Sequence, residues 1–265
     1  MVSAPSLTSE IVRYQVILSY DGTDFQGFQR QARARTVQQV VETALRELNW
    51  QGKSVLAAGR TDAGVHAYGQ VITFDLEWGH TPEELQRALN ALLPPEVVAR
   101  QVLEAPPDFH PRYDAISRCY HYCIFTGEVR DPLRERYAWR VWPALDFDAL
   151  QQAARYLPGR HDFAAFGSPP RAKGSTIRTV FSAGWEQYSD RPAGRNGVPT
   201  LVFEIVADAF LYHMVRHLVS FQVEIGQGSK AVDVTEKYLS GQMIAPVQGL
   251  APSNGLTLVE VNYRR

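Results

Sequence analysis

Residues 36–48, TVQQVVETALREL, space their apolar side chains three and four residues apart, as one face of an amphipathic helix does. Thr36 is a good N-cap, and Gln39 completes a capping box that sets where this helix begins. Before it, residues 13–20 (RYQVILSY) combine β-branched and aromatic side chains and predict a strand. The chain therefore opens with a strand that is followed by a helix.

Further strands and a second helix complete the first half of the chain. Short apolar or alternating segments predict strands at 54–58, 70–76 and 97–103. Thr81 and Glu84 form a second capping box, and the proline between them is a favoured residue in a first helical turn, so another helix begins there. The resulting order of elements is βαββαβ.

The second half of the chain repeats this order. The patterns predict strands at 117–125, 176–185, 199–207 and 256–263, helices capped by Asp146 and Asp208, an end to the first of these helices at Gly159, and a short extra helix at 232–239. Two βαββαβ units predict an α+β fold of two ferredoxin-like halves. We expect them to join into one wide, mainly antiparallel sheet, with helices packed on it and a central cleft.

A proline-rich stretch at 105–111 marks the boundary between the halves. We assign residues 1–12 to a flexible N-terminal tail and residues 13–108 to an N-terminal ferredoxin-like half that carries the candidate catalytic loop. Residues 109–265 form the C-terminal ferredoxin-like half.

Composition and charge exclude several classes of protein. With 27 basic and 28 acidic residues and a formal net charge of −1, the chain is not a polycation that coats nucleic acid indiscriminately. No apolar run is long enough for a membrane helix, and the N-terminal residues lack the pattern of a signal peptide. Cys119 and Cys123 would lie about 13 Å apart on one strand, too far for a disulfide. These features favour a cytoplasmic protein without a membrane partner.

The segment that points most directly to chemistry is 59–67, GRTDAGVHA, a loop between two predicted strands. Loops on a rigid base often carry reacting groups, and glycine lets a ligand approach the backbone closely. Arg60 favours the ionised form of the Asp62 carboxylate, which suits a nucleophile better than a proton donor. The structural alternative is an ordinary turn in which the carboxylate bonds its own backbone.

Two patterns that resemble metal sites are not convincing. The 59–67 loop offers no second acid, and Arg60 would repel a cation. Cys119, His121 and Cys123 share one face of a predicted strand, but zinc–sulfur bonds of about 2.3 Å cannot bridge two sulfurs so far apart. The sequence therefore predicts no metal site.

Basic residues concentrate near the predicted catalytic loop. Residues 28–60 hold six basic groups and two acidic ones, and the neighbouring segment 20–31 is rich in glutamine, glycine and aromatic residues. Such a mixture is typical of a surface for nucleotides. We predict that Arg30, Arg33 and Arg35 contact a nucleic-acid ligand.

The motifs together resemble the TruA-type tRNA pseudouridine synthases. From about residue 13 to 263 the matching segments occur in the family's order: YDGTDFQGFQRQ, TVQQVVETAL, GRTDAGVHA, ALN with LPPEV, FHPRYDA, YHY, HDFAAF, FLYHMVRH and APSNGLTLVEV. GRTDAGVHA is a highly specific motif, and the ordered set makes coincidence implausible.

This resemblance implies an isomerase (an intramolecular transferase, EC 5.4.99.12) that converts uridine to pseudouridine at positions 38, 39 and 40 of the tRNA anticodon arm. It implies that Asp62 is the catalytic residue, a nucleophile on a flipped-out uridine. Arg60 would fill the space of that nucleotide, Tyr120 would stack on the base, and Arg216 would pair with the aspartate. It also implies a homodimer, tRNA as the partner, and no metal or organic cofactor. Whether Asp62 attacks the sugar C1′, adds to the ring at C6 or removes a sugar proton stays open.

Some positions depart from the family's pattern. Phe28 stands where tryptophan is usual, His217 where asparagine is, Ser220 where glycine is, and Ser253 where a second proline is.

Two other classes of protein compete with the assignment. An RNA-binding protein with two RRM-like halves would carry RNP-type aromatic strands, and a carbohydrate hydrolase would need a second carboxylate near Asp62. The sequence provides neither.

Overall fold

The computed structural model describes residues 10–169, 174–188 and 199–264. In these residues the strands are β1 (Ile11–Tyr20), β2 (Leu56–Ala57), β3 (His66–Glu77), β4 (Val97–Glu104), β5 (Ala115–Thr126), β6 (Trp139–Val141), β7 (Gly159–Asp162), β8 (Ile177–Tyr188), β9 (Thr200–Ala207) and β10 (Leu256–Tyr263). The helices are α1 (Val37–Glu47), α2 (Pro82–Leu92), α3 (Phe147–Ala154), α4 (Met214–Gly226) and α5 (Val234–Leu239). The chain divides into two units, Met1–Ala115 with Tyr263–Arg265, and Ile116–Asn262.

The first unit has the strand order β4–β1–β3, with β2 paired to β3 and every pairing antiparallel. Helix α1 connects β1 to β2, and α2 connects β3 to β4, so the order along the chain is βαββαβ. Alternate side chains of β1 are buried, from Tyr14 to Tyr20, as expected for a strand with one face on a core. The antiparallel βαββαβ sheet is the ferredoxin-like arrangement.

The second unit has the order β10–β5–β9–β8–β7, and β6 runs parallel to β5 at the end of that strand. With α3 between β5 and β8, and α4 between β9 and β10, this unit repeats the strand order of the first unit. The α+β class and the mainly antiparallel pairing that the sequence predicts are therefore confirmed.

Trp185 of β8 links the sheet of the second unit to two of its helices. Its indole Nε1 donates to Gln222 Oε1 of α4 at 2.9 Å, and its carbonyl accepts from Gln151 Nε2 of α3 at 2.7 Å. The side chain is only 1% exposed, and burying a large side chain of this kind contributes about 2–3 kcal/mol. Satisfying the indole N–H removes the penalty of an unpaired buried donor.

Two helix boundaries differ from the sequence-based expectation. Helix α3 ends at Ala154, and Gly159, with φ 120°, instead begins β7. Asp208 caps no helix, because its Oδ1 accepts from the amides of Thr179 at 3.1 Å and Ala209 at 2.6 Å. Helix α4 begins only at Met214. The Asp208 carboxylate therefore stabilises the ends of two strands.

Other expected elements form, although some differ in length. The Thr36 hydroxyl accepts from the Gln39 amide at 3.4 Å, while the capping box of Thr81 and Glu84 forms completely. Strand β2 is much shorter than its apolar segment suggests, and β6 and β7 are too short to produce a recognisable pattern. In the described ranges, no helix is long and apolar enough to cross a membrane.

Candidate active site

The GRTDAG segment connects β2 to β3 and carries Asp62 at a tight turn. The Val65 amide donates to the Asp62 carbonyl at 3.2 Å, which closes the turn, and Gly64 occupies its third position with φ 76°. A left-handed conformation at that position favours glycine. The turn is thus closed by the main chain of Asp62. The Asp62 side chain is half-buried, whereas Thr61 and Val65 on either side of it are buried.

The neighbouring segment 20–28 holds this loop from one side. The Phe28 amide donates to the Thr61 carbonyl at 3.0 Å, and the Gly64 amide donates to the Phe25 carbonyl at 3.2 Å. Gly27, with φ 88°, lies so close that a Cβ there would sit 2.8 Å from the Thr61 carbonyl oxygen. Only glycine allows this approach. Part of the segment that the sequence suggests as a nucleotide surface therefore supports the candidate catalytic loop.

Buried side chains hold the loop from the sheet below it. The Tyr20 and Thr61 hydroxyls lie 2.8 Å apart, and Gln70 Nε2 donates to the Gly59 carbonyl at 3.0 Å. Burial raises the pKa of Tyr20 to about 12, so its phenol stays protonated near neutral pH. Tyr20 at the end of β1 and Gln70 within β3 thus fix the residues that precede Asp62.

His66 at the end of the loop is a structural residue. It is buried, and its Nδ1 accepts from the Gly22 amide at 3.0 Å. Asp21 Oδ1 lies 3.2 Å from the same nitrogen. The Gly22 amide and the Asp21 carboxylate thus meet at one ring nitrogen. His66 therefore ties the end of the loop to residues 21 and 22.

The predicted RNA-contacting arginines differ in how they are held. Arg30 Nη1 lies 2.5 Å from an oxygen of Glu42, a carboxylate that is fully buried. Arg35 lies over the Phe25 ring at 4.3 Å and pairs with Glu96 at 3.2 Å. Arg33 is exposed in the turn between residues 31 and 34, and Arg60 is exposed in the candidate catalytic loop. Arg30 and Arg35 thus serve the framework of the first unit.

The second unit carries Tyr120 and Arg216. Tyr120 lies on β5 opposite Ile205 of β9, is half-buried, and contacts the Phe210 ring edge-on with centroids 4.9 Å apart. Tyr122, two residues further along, is fully buried and donates to the Pro252 carbonyl at 2.7 Å. Of the two tyrosines on this face, Tyr122 belongs to the core and Tyr120 is the more accessible.

Arg216 lies in the first turns of α4. Its Nε donates to the Ala251 carbonyl at 2.7 Å, and the Ala251 amide donates to the Arg216 carbonyl at 3.2 Å. Burial raises the pKa of Tyr122 above its ordinary value, and the positive charge of Arg216 partly offsets that effect. The Arg216 guanidinium and the Tyr122 hydroxyl therefore bond two consecutive carbonyls, of Ala251 and Pro252.

His213, the N-cap of α4, has φ 65°. Positive φ is uncommon outside glycine and is often found at functional sites.

Comparison with known proteins identifies the family. A family model described as tRNA pseudouridine synthase matches residues 16–114 and 153–264. The chain belongs to the tRNA pseudouridine synthase family. The synthase is accordingly an isomerase.

Curated relatives of the synthase match almost its whole length. The tRNA pseudouridine synthase A of Lactiplantibacillus plantarum is 38% identical over 257 residues, which cover 96% of this chain and 95% of the relative. The enzyme of the same name from Brevibacillus brevis is 39% identical, over 95% of this chain and 99% of the relative. The one from Geobacillus kaustophilus is 40% identical, over 95% of this chain and 94% of the relative. A solved Cbf5–Nop10–Gar1 complex is 14% identical over 79% of this chain and 45% of that chain, with a TM-score of 0.35, too low a likeness to inform the fold or the site.

The residues of the synthase that the resemblance marks as unusual have defined places in the fold. Phe28 is 2% exposed. His217 Nδ1 bonds the Gly249 carbonyl at 2.7 Å, and the Ser220 hydroxyl fills the space where a Cβ on Gly249 would lie. Ser253 begins a single 3-10 turn. Each substituted residue has a defined place in the fold.

The residues that support the candidate catalytic loop of the synthase were not predicted from the sequence. Tyr20, Gly22, Gly27 and Gln70 hold or contact the loop, yet none of them carries an obvious reactive group. A signal was present in the closely spaced glycines of YDGTDFQG, because glycines in a polar segment often mark a close approach of two backbones. Gln70 is buried within a strand, and nothing in the sequence pattern distinguishes it.

Proposed function

We propose that the chain isomerises uridine to pseudouridine at positions 38, 39 and 40 of the tRNA anticodon arm, with Asp62 as the nucleophile on a flipped-out uridine. The observation that carries this proposal is the half-buried side chain of Asp62, which lies in a loop held at three places. The Thr61 hydroxyl contacts Tyr20 of β1, the Gly59 carbonyl accepts from Gln70 of β3, and the loop backbone is hydrogen-bonded to segment 20–28. A nucleophile needs such a fixed origin, since misplacement by about 1 Å can reduce a rate about 100-fold.

The reaction requires no change in the composition of the nucleotide. The N1–C1′ bond breaks, the base turns, and a C5–C1′ bond forms. The proton on C5 leaves to solvent, and N1 takes up a proton, so atoms and charge balance and no electron acceptor is involved. A carboxylate can serve as the nucleophile in such a rearrangement.

Three further residues have proposed roles toward the flipped nucleotide. Extruding a base costs a few kcal/mol. Stacking on the Tyr120 ring would return about 1–3 kcal/mol, and the half-buried, edge-supported position of that ring favours this role. Arg60 would occupy the space of the nucleotide, for which its exposure is suitable. Arg216 would pair with the Asp62 carboxylate.

We also propose that the enzyme is a cytoplasmic homodimer that binds tRNA partly through basic side chains of the first unit. Arg33 is the best placed of the predicted arginines, because it is exposed in a turn. Arg30 and Arg35 would contribute mainly by shaping the segment that carries it.

The proposal is tested by release of tritium from tRNA that contains 5-tritiated uridine. Wild type and Asp24→Asn should release tritium, while Asp62→Asn should bind tRNA and release none. Asp24 is a suitable control because it is an exposed aspartate on the adjacent segment. Transcripts with uridine at only one of positions 38, 39 and 40 should each be substrates, and a transcript with cytidine at all three should not.

Tritium release by Asp62→Asn would reject the nucleophile role. Equal release from the transcript without uridine at these positions would reject the proposed site on tRNA. Analytical ultracentrifugation of the full chain should give a dimer, and a monomer would reject that part of the proposal.

A further inference from the structure

Three potential metal ligands meet on the β5–β9 strand pair of the second unit. His121 of β5 lies directly opposite Glu204 of β9, and Cys119 lies two residues before the histidine. One ligand atom from each of these side chains lies within 4.8 Å of the others. Residues two apart on a strand point to the same face, and directly paired residues share a face as well. The cluster is therefore a property of strand register.

Small side-chain movements would bring the three ligand atoms to the separations of a zinc site. In a tetrahedral zinc site with bonds of about 2.0–2.3 Å, ligand atoms are about 3.3–3.6 Å apart. His121 Nε2 and Glu204 Oε2 are now 2.8 Å apart, so the cation would replace this hydrogen bond and separate the two atoms slightly. The Glu204 side chain is 50% exposed and can move by rotation about its own bonds, whereas Cys119 is 7% exposed and fixed.

We propose that Cys119 Sγ, a ring nitrogen of His121 and a carboxylate oxygen of Glu204 bind Zn²⁺, with water as the fourth ligand. A thiolate, an imidazole and a carboxylate together favour zinc over Mg²⁺ or Ca²⁺, which prefer oxygen ligands alone. On binding, the Cys119 thiol gives its proton to solvent, and no redox change occurs. The partly exposed His121 and Glu204 leave a route for the ion and its water.

This set of ligands differs from the one that the sequence pattern suggests. Cys119 and Cys123 lie too far apart on one strand for both thiols to bind the same zinc ion. In the structure the third potential ligand is Glu204 and not Cys123. Glu204 is distant in sequence and becomes a neighbour only through the pairing of β5 with β9. A cross-strand ligand of this kind leaves no spacing motif.

The expected role of the ion is structural and does not depend on the proposed function. Coordination would link β5 to β9 through the two residues that flank Tyr120. An ion that binds the folded chain but not the unfolded chain raises the melting temperature in proportion to the logarithm of its concentration. Zinc should therefore stabilise the second unit.

The test uses the untagged full chain after removal of metal with a chelator. Isothermal titration with Zn²⁺ should give one site per chain in wild type and in Cys123→Ser. Glu204→Gln and Cys119→Ser should weaken binding at least about tenfold, since even changes around a metal ligand often cost that much. Glu204→Gln is the decisive variant because an exposed side chain can be changed without loss of folding. Co²⁺ should produce a thiolate charge-transfer band in wild type and Cys123→Ser but not in Cys119→Ser.

Two results would overturn the site. One is a titration without stoichiometric binding in wild type, which would leave His121 and Glu204 as an ordinary cross-strand hydrogen bond. The other is binding that survives Glu204→Gln unchanged or is lost equally in Cys123→Ser, which would place the ion elsewhere.

Discussion

The hydroxyl groups of Tyr20 and Thr61 lie 2.8 Å apart, so the end of β1 is bonded to the residue that precedes the proposed nucleophile. Both side chains are buried, at 3% and 7% exposure. A hydrogen bond between two buried hydroxyls is protected from competition by water. It therefore fixes the start of the turn from which Asp62 projects.

Tyr20→Phe should lower both stability and turnover. The substitution leaves the buried Thr61 hydroxyl without this partner, which costs about 1–2 kcal/mol. Because the loop loses an anchor and not a contact with tRNA, kcat should fall while KM for tRNA stays close to the wild-type value. Urea denaturation and tritium-release kinetics measure the two effects. Tyr68→Phe, at a tyrosine of β3 that is 57% exposed, is the matched control. A wild-type kcat in Tyr20→Phe would show that the bond does not position the loop.

Gly27→Ala should be far more damaging than Gly59→Ala. Gly27 has φ 88°, and an added Cβ would lie 2.8 Å from the Thr61 carbonyl oxygen. The left-handed conformation alone costs about 1–2 kcal/mol for alanine, and the Asp62 turn would have to shift. We expect about a tenfold to hundredfold loss of kcat. A Cβ on Gly59 meets nothing within 4 Å, so Gly59→Ala should retain activity. Similar activities for the two variants would contradict this account.

The order of the longer elements was predictable because each of them has its own local pattern. Thr36 and Thr81 predict helix starts, and alternating or apolar segments predict strands. Both βαββαβ orders therefore follow from the sequence. Contacts between distant residues were not predictable. Asp208 has the chemistry of an N-cap, but the amides of Thr179 and Ala209 bind its carboxylate instead. The Asp208 carboxylate could cap a helix or accept from nearby strand-end amides, and the packing of β8 beside β9 selects the second arrangement.

Arg30→Ala should mainly lower stability, whereas Arg33→Ala should mainly weaken tRNA binding. Arg30 is the 2.5 Å partner of Glu42, whose side chain is fully buried. Its removal should lower the free energy of unfolding by about 2 kcal/mol, the usual range for a hydrogen bond to a buried charge. Arg33 is exposed, so Arg33→Ala should leave stability unchanged and weaken tRNA binding. The slope of log affinity against log salt concentration should decrease in magnitude by about one. Filter binding at several salt concentrations and urea denaturation distinguish them. Unchanged tRNA affinity in Arg33→Ala would remove this residue from the RNA surface.

Asp75 should make stability depend on pH in the acid range. Arg13 bonds both oxygens of this carboxylate, at 2.7 and 2.9 Å, across the β1–β3 pair. These bonds lower the pKa of Asp75 from its ordinary value. A lowered pKa stabilises the folded chain above the unfolded pKa of about 4, and that stabilisation is lost as the pH falls further. Because the Asp75 side chain is 47% exposed, we expect only about 0.5 kcal/mol.

Melting temperatures of wild type and Asp75→Asn, measured from neutral pH to pH 3, test this expectation. The difference should be largest at neutral pH, should shrink in acid, and should decrease with added salt. A difference that grows as the pH falls would have the wrong sign for a carboxylate stabilised in its charged form.

The predicted site shows the same division between local and distant information. Asp62 and Arg60 share one specific motif, so a single segment identified them. The support for that motif comes from Tyr20, Gly27 and Gln70, which are brought to it by folding. Their roles depend on how closely two backbone segments approach and on which buried polar groups pair. Neither can be predicted from the residue type alone.

Tyr120→Ala and Tyr120→Phe separate a stacking role from a structural one. The ring is half-buried and its edge contact with Phe210 holds it at a centroid distance of 4.9 Å. Tyr120→Phe keeps the flat ring and should retain most of the activity. Tyr120→Ala removes a stacking surface worth about 1–3 kcal/mol, so single-turnover rates on tRNA should fall about 5- to 150-fold, since each 1.36 kcal/mol is a factor of ten. Thermal unfolding of both variants provides the control. Unchanged kinetics in Tyr120→Ala, together with a lowered melting temperature, would assign Tyr120 to the core and not to the base.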